Sequence, residues 1–432
     1  MKISQHFTHI FKVLPVKKGN FMKRVLVIGA GASGLVAAIE AARLGAKVTV
    51  IEKNNKIGKK LLATGNGRCN MTNYVLGTNN YRSNNLTFVE DILKLYETET
   101  IREYFKELSL WTRDVDGYVY PNTLQAASVV DKLTKKCYEL GVKIALDTEC
   151  VDIDINENNE FAVKTANYTY IVDKVIVASG LVAGVDVKGN SVKKQDVLAL
   201  KIAEKFGHKV YPVVPGLTGL KCNNKFLNKA SGVRWNTKVS TYVENECIYS
   251  DEGELQFADY GISGIVVFQN SRYVTIALSE NKKVEIILDF MPEYTMDEFE
   301  ALLKQQVNDF NNMSIYDILS GMFNSKLVDY ILLNANINPK EKVANLMDLK
   351  KLVAVIKEHI INVTESRGFE FSQVCAGGID TSQICISMES KIKSGLYFTG
   401  EALDVDGMCG GYNLHFAFAS GIQAGKSAGS GE

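Results

Sequence analysis

The chain has 432 residues, 46% of them hydrophobic and 23% charged, and its 49 basic side chains balance 49 acidic ones to a formal net charge of zero. At roughly 100–200 residues per domain the length allows more than one core, and the apolar share excludes a disordered or collagen-like chain. The neutral balance argues against a nucleic-acid partner, because neutralising phosphates takes a basic excess or stripe.

In chain order, residues 1–21 carry Lys2, Lys12, Lys17 and Lys18 without an acid and lack the apolar core of a secretion signal, so they read as a disordered extension. Residues 25–28 are an apolar strand, 32–44 a helix and 47–51 a second strand, a β-α-β unit with short connections. Helical spacing returns at 126–140, followed by an extended stretch at 142–154, a hairpin pattern at 161–172 and a buried strand at 174–178. The first half therefore predicts a parallel sheet flanked by helices and carrying a β insertion. From 209 to about 290 the β-branched and aromatic runs 239–243, 265–268, 274–278 and 284–288 predict a β-rich second domain. Residues 296–361 have the helical period, and a strand at 396–399 with a closing helix at 412–424 returns the chain to the first domain. The expected division is a first domain of 22–206 and 362–432, a β-rich insert of 207–292 and a helical subdomain of 293–361, after the extension 1–21.

Eight cysteines are scattered without a C-x-x-C or metal-like spacing. That pattern suits free thiols in a reducing, cytoplasmic setting and predicts no metal site. No apolar run approaches the ~18 residues that span a bilayer, so no membrane partner is expected.

Gly29-Ala30-Gly31-Ala32-Ser33-Gly34 fits G-x-G-x-x-G between a predicted strand and a predicted helix. Gly29 permits the tight turn, Gly31 lets a pyrophosphate approach the backbone, and Gly34 allows close packing of helix on strand. The helix N-terminus offers open N–H groups to the phosphates. Glu52, followed by Lys53, ends the second strand, where a carboxylate accepts from ribose hydroxyls. These features leave FAD and NAD equally open.

The following segment is specific. Residues 58–73, GKKLLATGNGRCNMTN, contain Lys60, Arg68, Cys69 and Asn70 in a polar, glycine-rich loop. Further distinctive blocks stand at 253–257 and 260–264, at 387–391 and at 395–414, GLYFTGEALDVDGMCGGYNL. In this order the blocks resemble the BaiN-like flavoproteins, also called the aminoacetone-oxidase-like or YhiN-like family of NAD(P)/FAD-dependent oxidoreductases. The resemblance covers nearly everything after Met22.

The resemblance implies an α/β fold: a discontinuous, Rossmann-like FAD-binding domain with an inserted β-barrel-like domain and a helical subdomain. It implies non-covalent FAD held by Gly29, Gly31, Ala32, Ser33, Gly34, Glu52, Lys53, Lys60, Arg68, Cys69, Asn70, Val151, Ala178, Ser179, Gly180, Gly400, Glu401, Asp404, Gly411, Tyr412, Asn413 and Leu414. Glu401 is expected near the ribityl chain or pyrophosphate, and the helix from Tyr412 is expected to aim its N–H groups at the flavin N1/C2=O edge.

Tyr260, Ser263 and His415 are the substrate-side candidates, and no catalytic acid or base is assigned. His415 stands where relatives carry glutamine, and reads either as a titrating group beside the flavin or as a neutral residue of the first helical turn. His208 reads as a cation at a helix C-terminus. Ser179-Gly180-Leu181 and the 189–192 turn depart from the A-T-G-G and G-S-T-G patterns of the family. The activity implied is hydride exchange between flavin N5 and a small organic substrate, as an NAD(P)H-linked reductase with NAD(P)H as transient donor. The alternatives are an amine oxidase using dioxygen and a non-catalytic flavin-binding redox sensor. The oligomeric state stays open.

Overall fold

The computed structural model describes residues 22–184, 197–343 and 349–430. The expected extension 1–21 and the 189–192 turn lie outside these residues.

β1 (Arg24–Ile28) leads through a glycine turn into α1 (Ala32–Arg43) and β2 (Lys47–Ile51). α2 (Lys59–Ala63), the short strands β3 (Thr72–Asn73) and β4 (Tyr81–Arg82), α3 (Leu86–Leu95) and α4 (Thr98–Glu107) follow. A hairpin of β5 (Thr112–Val115) and β6 (Tyr118–Pro121) precedes α5 (Ala126–Glu139) and β7 (Lys143–Ala145). β8 (Cys150–Ile155), β9 (Phe161–Thr165) and β10 (Thr169–Val172) form a small antiparallel sheet, and β11 (Lys174–Val177) returns to β1. The stretch expected to run extended from 142 to 154 is thus two strands, β7 and β8, in different sheets.

After α6 (Leu198–Lys205) and β12 (Val210–Gly216), the insert begins with β13 (Leu220–Asn223), α7 (Leu227–Ala230), β14 (Arg234–Val243), β15 (Glu246–Ala258) and β16 (Gly261–Ser263). It continues with α8 (Ile265–Ser279), β17 (Val284–Asp289), α9 (Met296–Asp309), α10 (Ile315–Ser320), α11 (Ser325–Ala335), α12 (Leu349–Lys357) and β18 (His359–Ser366). β19 (Val374–Ile379), β20 (Leu396–Phe398), β21 (Asp406–Gly407) and α13 (Tyr412–Gly429) complete the first domain.

The central sheet is five-stranded and parallel in the order β20-β11-β1-β2-β7. Covered on both faces, β1 is buried without alternation from Val25 to Ile28. The insert closes a six-stranded barrel, β13-β16-β15-β14-β17-β18. Each unit has its own hydrophobic core: one gathers residues before Leu217 and after Phe369, the other residues from Leu220 to Val363. β12 pairs with β19 and its Val210 and Val213 lie in the first core, whereas β18 closes the barrel. The crossovers therefore fall near 217–219 and 366–373, not at 207 and 361, and the helical segment shares the barrel's core.

The runs 265–268 and 274–278, expected as strands, are both part of α8. Its buried positions, Val266, Val267, Asn270, Ser271, Val274, Thr275 and Ala277, follow the helical period. The inward polar residues broke the apolar pattern. Each has a partner: Asn270 donates to Val266 O and accepts from Thr241, and Thr275 donates to Pro215 O. β-Branched propensity was overridden by packing against the barrel.

α13 lies directly on α1. Gly421, Gly425 and Gly429, four residues apart, share one face, and a Cβ added to them would stand 2.3, 2.4 and 2.8 Å from the carbonyl oxygens of Ser33, Ala37 and Ala41. Only a face without side chains lets the backbones come this close. At the far end of α13, Lys174 Nζ donates to the carbonyls of Ser427 and Ser430, a cation at the negative helix terminus.

Candidate functional site

Gly29 adopts φ +108°, and a Cβ there would lie 2.6 Å from Ala178 O; one on Gly34 would lie 2.0 Å from Gly29 O. Both glycines are required by packing. At Gly31 the same test finds nothing within 4 Å, so the turn opens onto free space at the start of α1. Glu52 borders this turn and is nearly buried; its Oε2 accepts from Ala30 N at 2.8 Å and its Oε1 from Asn54 N at 2.9 Å. Lys53 next to it is exposed.

The C-terminal blocks arrive at the same place. Thr399 donates to Ser33 Oγ at 3.1 Å, and Gly400, at φ +62°, leaves only 2.9 Å between a would-be Cβ and Ser33 Oγ. Glu401 is a junction: Oε2 pairs with Lys60 Nζ at 2.7 Å and accepts from Leu181 N at 3.4 Å, while Oε1 accepts from Cys375 N at 3.0 Å. This ties α2, the segment after β11, β19 and the loop after β20 into one rim. Gly180, φ +63°, faces Glu401, and Ala178 and Ser179 line the turn opposite Gly29.

α13 starts at Gly411, φ +94°, without a side-chain cap. Asn70 Oδ1 and Thr72 O crowd that glycine at 2.7 Å from a would-be Cβ. Asn413 holds both the N–H and the carbonyl of Gly407 at 2.8 Å, so its side chain shapes the loop and is not free for a ligand. Tyr412 donates to Val75 O, and Leu414 is partly buried. Asp404 accepts from the backbone and side chain of Asn84 through Oδ2. Among the described residues, Asn70 Oδ1, Ser179 Oγ and Asp404 Oδ1 are buried without a hydrogen-bond partner, a costly condition unless a ligand completes them.

The guanidinium of Arg68 is exposed and makes no hydrogen bond or ion pair with a described residue. Cys69 is fully buried in a left-handed conformation, φ +62°, and burial pushes its thiol up to about 12, so it packs as a neutral group. Val151 is half exposed, its carbonyl accepting from Lys201 Nζ.

The substrate-side candidates fare differently. His415 is wholly buried, with Nε2 donating to Tyr96 O at 2.9 Å and Nδ1 accepting from Thr72 Oγ1 at 2.8 Å. Burial pulls its pKa down to about 4, against a smaller opposing effect of the Tyr96 carbonyl. It is a neutral strut between β3 and the α3–α4 turn and faces no substrate space. His208, expected as a cation, is also buried, bonded to Ser390 and shifted down by desolvation. The Tyr260 ring carries the Arg367 guanidinium at 4.4 Å, on the crossover, and Ser263 sits in β16; neither hydrogen-bonds to the cradle loops.

The insert reaches the cradle through α8. Gln269 Oε1 accepts from Cys409 N at 3.2 Å, Arg272 Nε pairs with both oxygens of Asp406 at 2.9 and 3.0 Å, and Arg82 Nε donates to Tyr273 at 2.6 Å. Burial raises the Asp406 carboxyl to about 6 although Arg272 opposes the shift. Gln269, Arg272 and Tyr273 escaped sequence reasoning because α8 reads as strand, and their pairing with Cys409, Asp406 and Arg82 because the partners lie 134 to 191 residues away.

A bound FAD fits these residues: open space at Gly31 beside a helix N-terminus suits its pyrophosphate, Glu52 its ribose, and the partnerless Asn70 and Ser179 line the way to α13. No helix of the described residues is long and apolar enough to cross a membrane, and no group of three or more His, Cys, Asp or Glu among them is placed to hold a metal.

Fold and cradle together define a Rossmann-type FAD-dependent oxidoreductase. The resemblance read from the sequence blocks holds, since a family model matches residues 23–427. The chain belongs to the HI0933-like protein Rossmann domain family. It is 35% identical over 412 residues to a 3-dehydro-bile acid delta(4,6)-reductase of Clostridium scindens, covering 94% of this chain and 99% of the relative. It is 31% identical over 407 residues to a ribosomal RNA dihydrouridine synthase of Haemophilus influenzae, covering 91% and 96%. The fold is similar to that of the 3-ketosteroid delta1-dehydrogenase of Sterolibacterium denitrificans, with TM-score 0.50, 12% identity and coverage of 95% and 100%.

Proposed function

We propose that this chain is a reductase that saturates a carbon–carbon double bond conjugated to a carbonyl group in a small organic molecule, with NAD(P)H as transient electron donor. One observation carries the reading: relatives matched over nine-tenths of the chain bear names that both describe adding hydrogen across a double bond, in a bile acid and in uridine. The substrates differ, but the bond chemistry is shared.

When bound, FAD supplies a hydride at N5. The open start of α1, with Gly31 beneath it, binds the pyrophosphate, and Glu52 orients the ribose. The Lys60–Glu401 pair closes the rim and Arg68 offers its fork to phosphate or flavin oxygens. The uncapped start of α13 would favour negative charge on a flavin held against it, by up to ~2 kcal/mol in a partly buried site. The cofactor carries the chemistry, and these residues supply orientation and electrostatics.

A second reading, reduction of uridine in ribosomal RNA, is favoured by the names of two relatives, 31% and 28% identical. The neutral charge weighs against it. Anaerobic NADPH and NADH titration followed by addition of an acceptor separates the readings. The proposal expects bleaching of the visible flavin band by a nucleotide and recolouring by a steroidal enone, with the saturated ketone found by mass. Recolouring by unmodified ribosomal RNA alone supports the second reading. Bleaching by amines and not by nucleotides supports the oxidase alternative, and no bleaching by any donor supports the non-catalytic one.

A further inference from the structure

Two residues ahead of Gly411, the backbone N–H of Cys409 is held by Gln269 of the insert. A backbone N–H can only donate, so the Gln269 side chain must turn its oxygen to Cys409 and its NH2 group away. That nitrogen makes no hydrogen bond to a described residue. Further along the same face of α8, Arg272 bonds Asp406 and Arg82 of β4 donates to Tyr273, so two contacts fix the helix to the 404–411 loop and a third fixes it to the strand β4 that pairs with β21. The Arg272–Asp406 pair is largely buried, with side-chain exposures of 17% and 7%. Such a pair adds little stability over apolar packing, but it sets position. One turn before Gln269, on the same face, Ile265 is 61% exposed, giving the start of α8 an apolar approach.

We propose that Gln269 Nε2 is the hydrogen-bond donor that holds the substrate's carbonyl oxygen, which makes Gln269 a positioning and rate-enhancing residue for an α,β-unsaturated ketone. The inference rests on the reductase reading. As hydride from the reduced cofactor bonds to the β-carbon, the π pair of the double bond shifts toward the carbonyl and charge gathers on its oxygen. The α-carbon then takes a proton from water and the carbonyl is restored, leaving substrate reduced and cofactor oxidised. A donor fixed where that charge develops lowers the barrier, whereas a mobile one does so less. An insert held by three contacts supplies a fixed one.

Gln269→Glu separates this role from a structural one. At about pH 8, far above the ordinary carboxyl pKa of ~4.3, Glu still accepts from Cys409 N but cannot donate. The expected result is unchanged FAD content and unchanged bleaching by NADPH, with recolouring by cyclohexenone or a steroidal enone slowed about 100-fold. By calorimetry the saturated ketone should bind about tenfold more weakly, and acidifying toward the carboxyl range should restore part of the rate, because a neutral carboxyl donates. Gln269→Leu should be slow at every pH. Wild-type recolouring and ketone binding in Gln269→Glu overturn the inference and leave the reductase reading standing. Loss of FAD or of thermal stability in both variants also overturns it, since Gln269 is then a strut of the seam. A wild-type protein that no enone recolours removes the reductase reading, and this inference with it.

Discussion

Two helices at the cradle, α1 and α13, and two of the insert, α9 and α10, begin in opposite ways. α1 and α13 start at Gly31 and Gly411, with no side-chain cap and no acid in the first turn. α9 and α10 start with complete capping boxes, Thr295 with Glu298 and Ser314 with Asp317, which bring acids of their own to the positive end. A helix start that satisfies its own N–H groups has nothing left for a ligand. The open pair sits in a partly buried setting, with free space at Gly31, so its openness is intelligible as provision for an anionic partner shared by two distant parts of the chain.

The largest effect that sharpens this contrast concerns His415, on the first turns of α13. Its folded pKa of about 4 lies below the ordinary 6.5, so between these values the unfolded chain binds more protons and stability rises with pH. Acidification from about 6.5 toward 4 should cost up to about 3 kcal/mol at this site. Asp406, raised to about 6, acts in the opposite sense at the acid end, so the share of His415 is read as the difference between wild type and His415→Gln in urea melts across that range. Equal pH slopes would break the claim that α13 excludes charge on this ring.

Next comes Gly31→Ala. The added methyl meets no protein atom, so the apo protein should melt as before while FAD binds at least about tenfold more weakly, about 1.4 kcal/mol, measured by fluorescence titration. Unchanged affinity would mean that the open space is not where phosphate lies. The smallest effect belongs to a self-satisfied end: Thr295→Ala should cost about 1 kcal/mol in a denaturant melt and leave flavin content untouched.

Legibility in the sequence follows the range of each interaction. The β1-α1-β2 unit with the glycine turn at Gly29 and Gly34 is a local feature whose spacing carries its geometry, and the observed strand, turn, helix and strand follow that spacing. α8 was not legible in this way, because β-branched residues fill it and its inward Asn270, Ser271 and Thr275 are explained only by the barrel around them. The seam was out of reach for another reason: Lys60 and Glu401 are 341 residues apart, and Arg272 and Asp406 are 134. His415 shows the converse, a titratable residue whose position near a predicted site suggested chemistry until its two ring partners were seen.

The order of the central sheet has a consequence for synthesis. β20, which completes one edge of that sheet, and α13, whose glycines seat on α1, are made after the barrel is already closed by His359–Ser366. A growing chain can therefore bury the second core while the Rossmann half still lacks its edge strand and covering helix. During that interval the nascent polypeptide has the fingerprint turn but not the Thr399–Gly400 and Gly411 segments that face it, so the cradle is whole only after the last elements have docked.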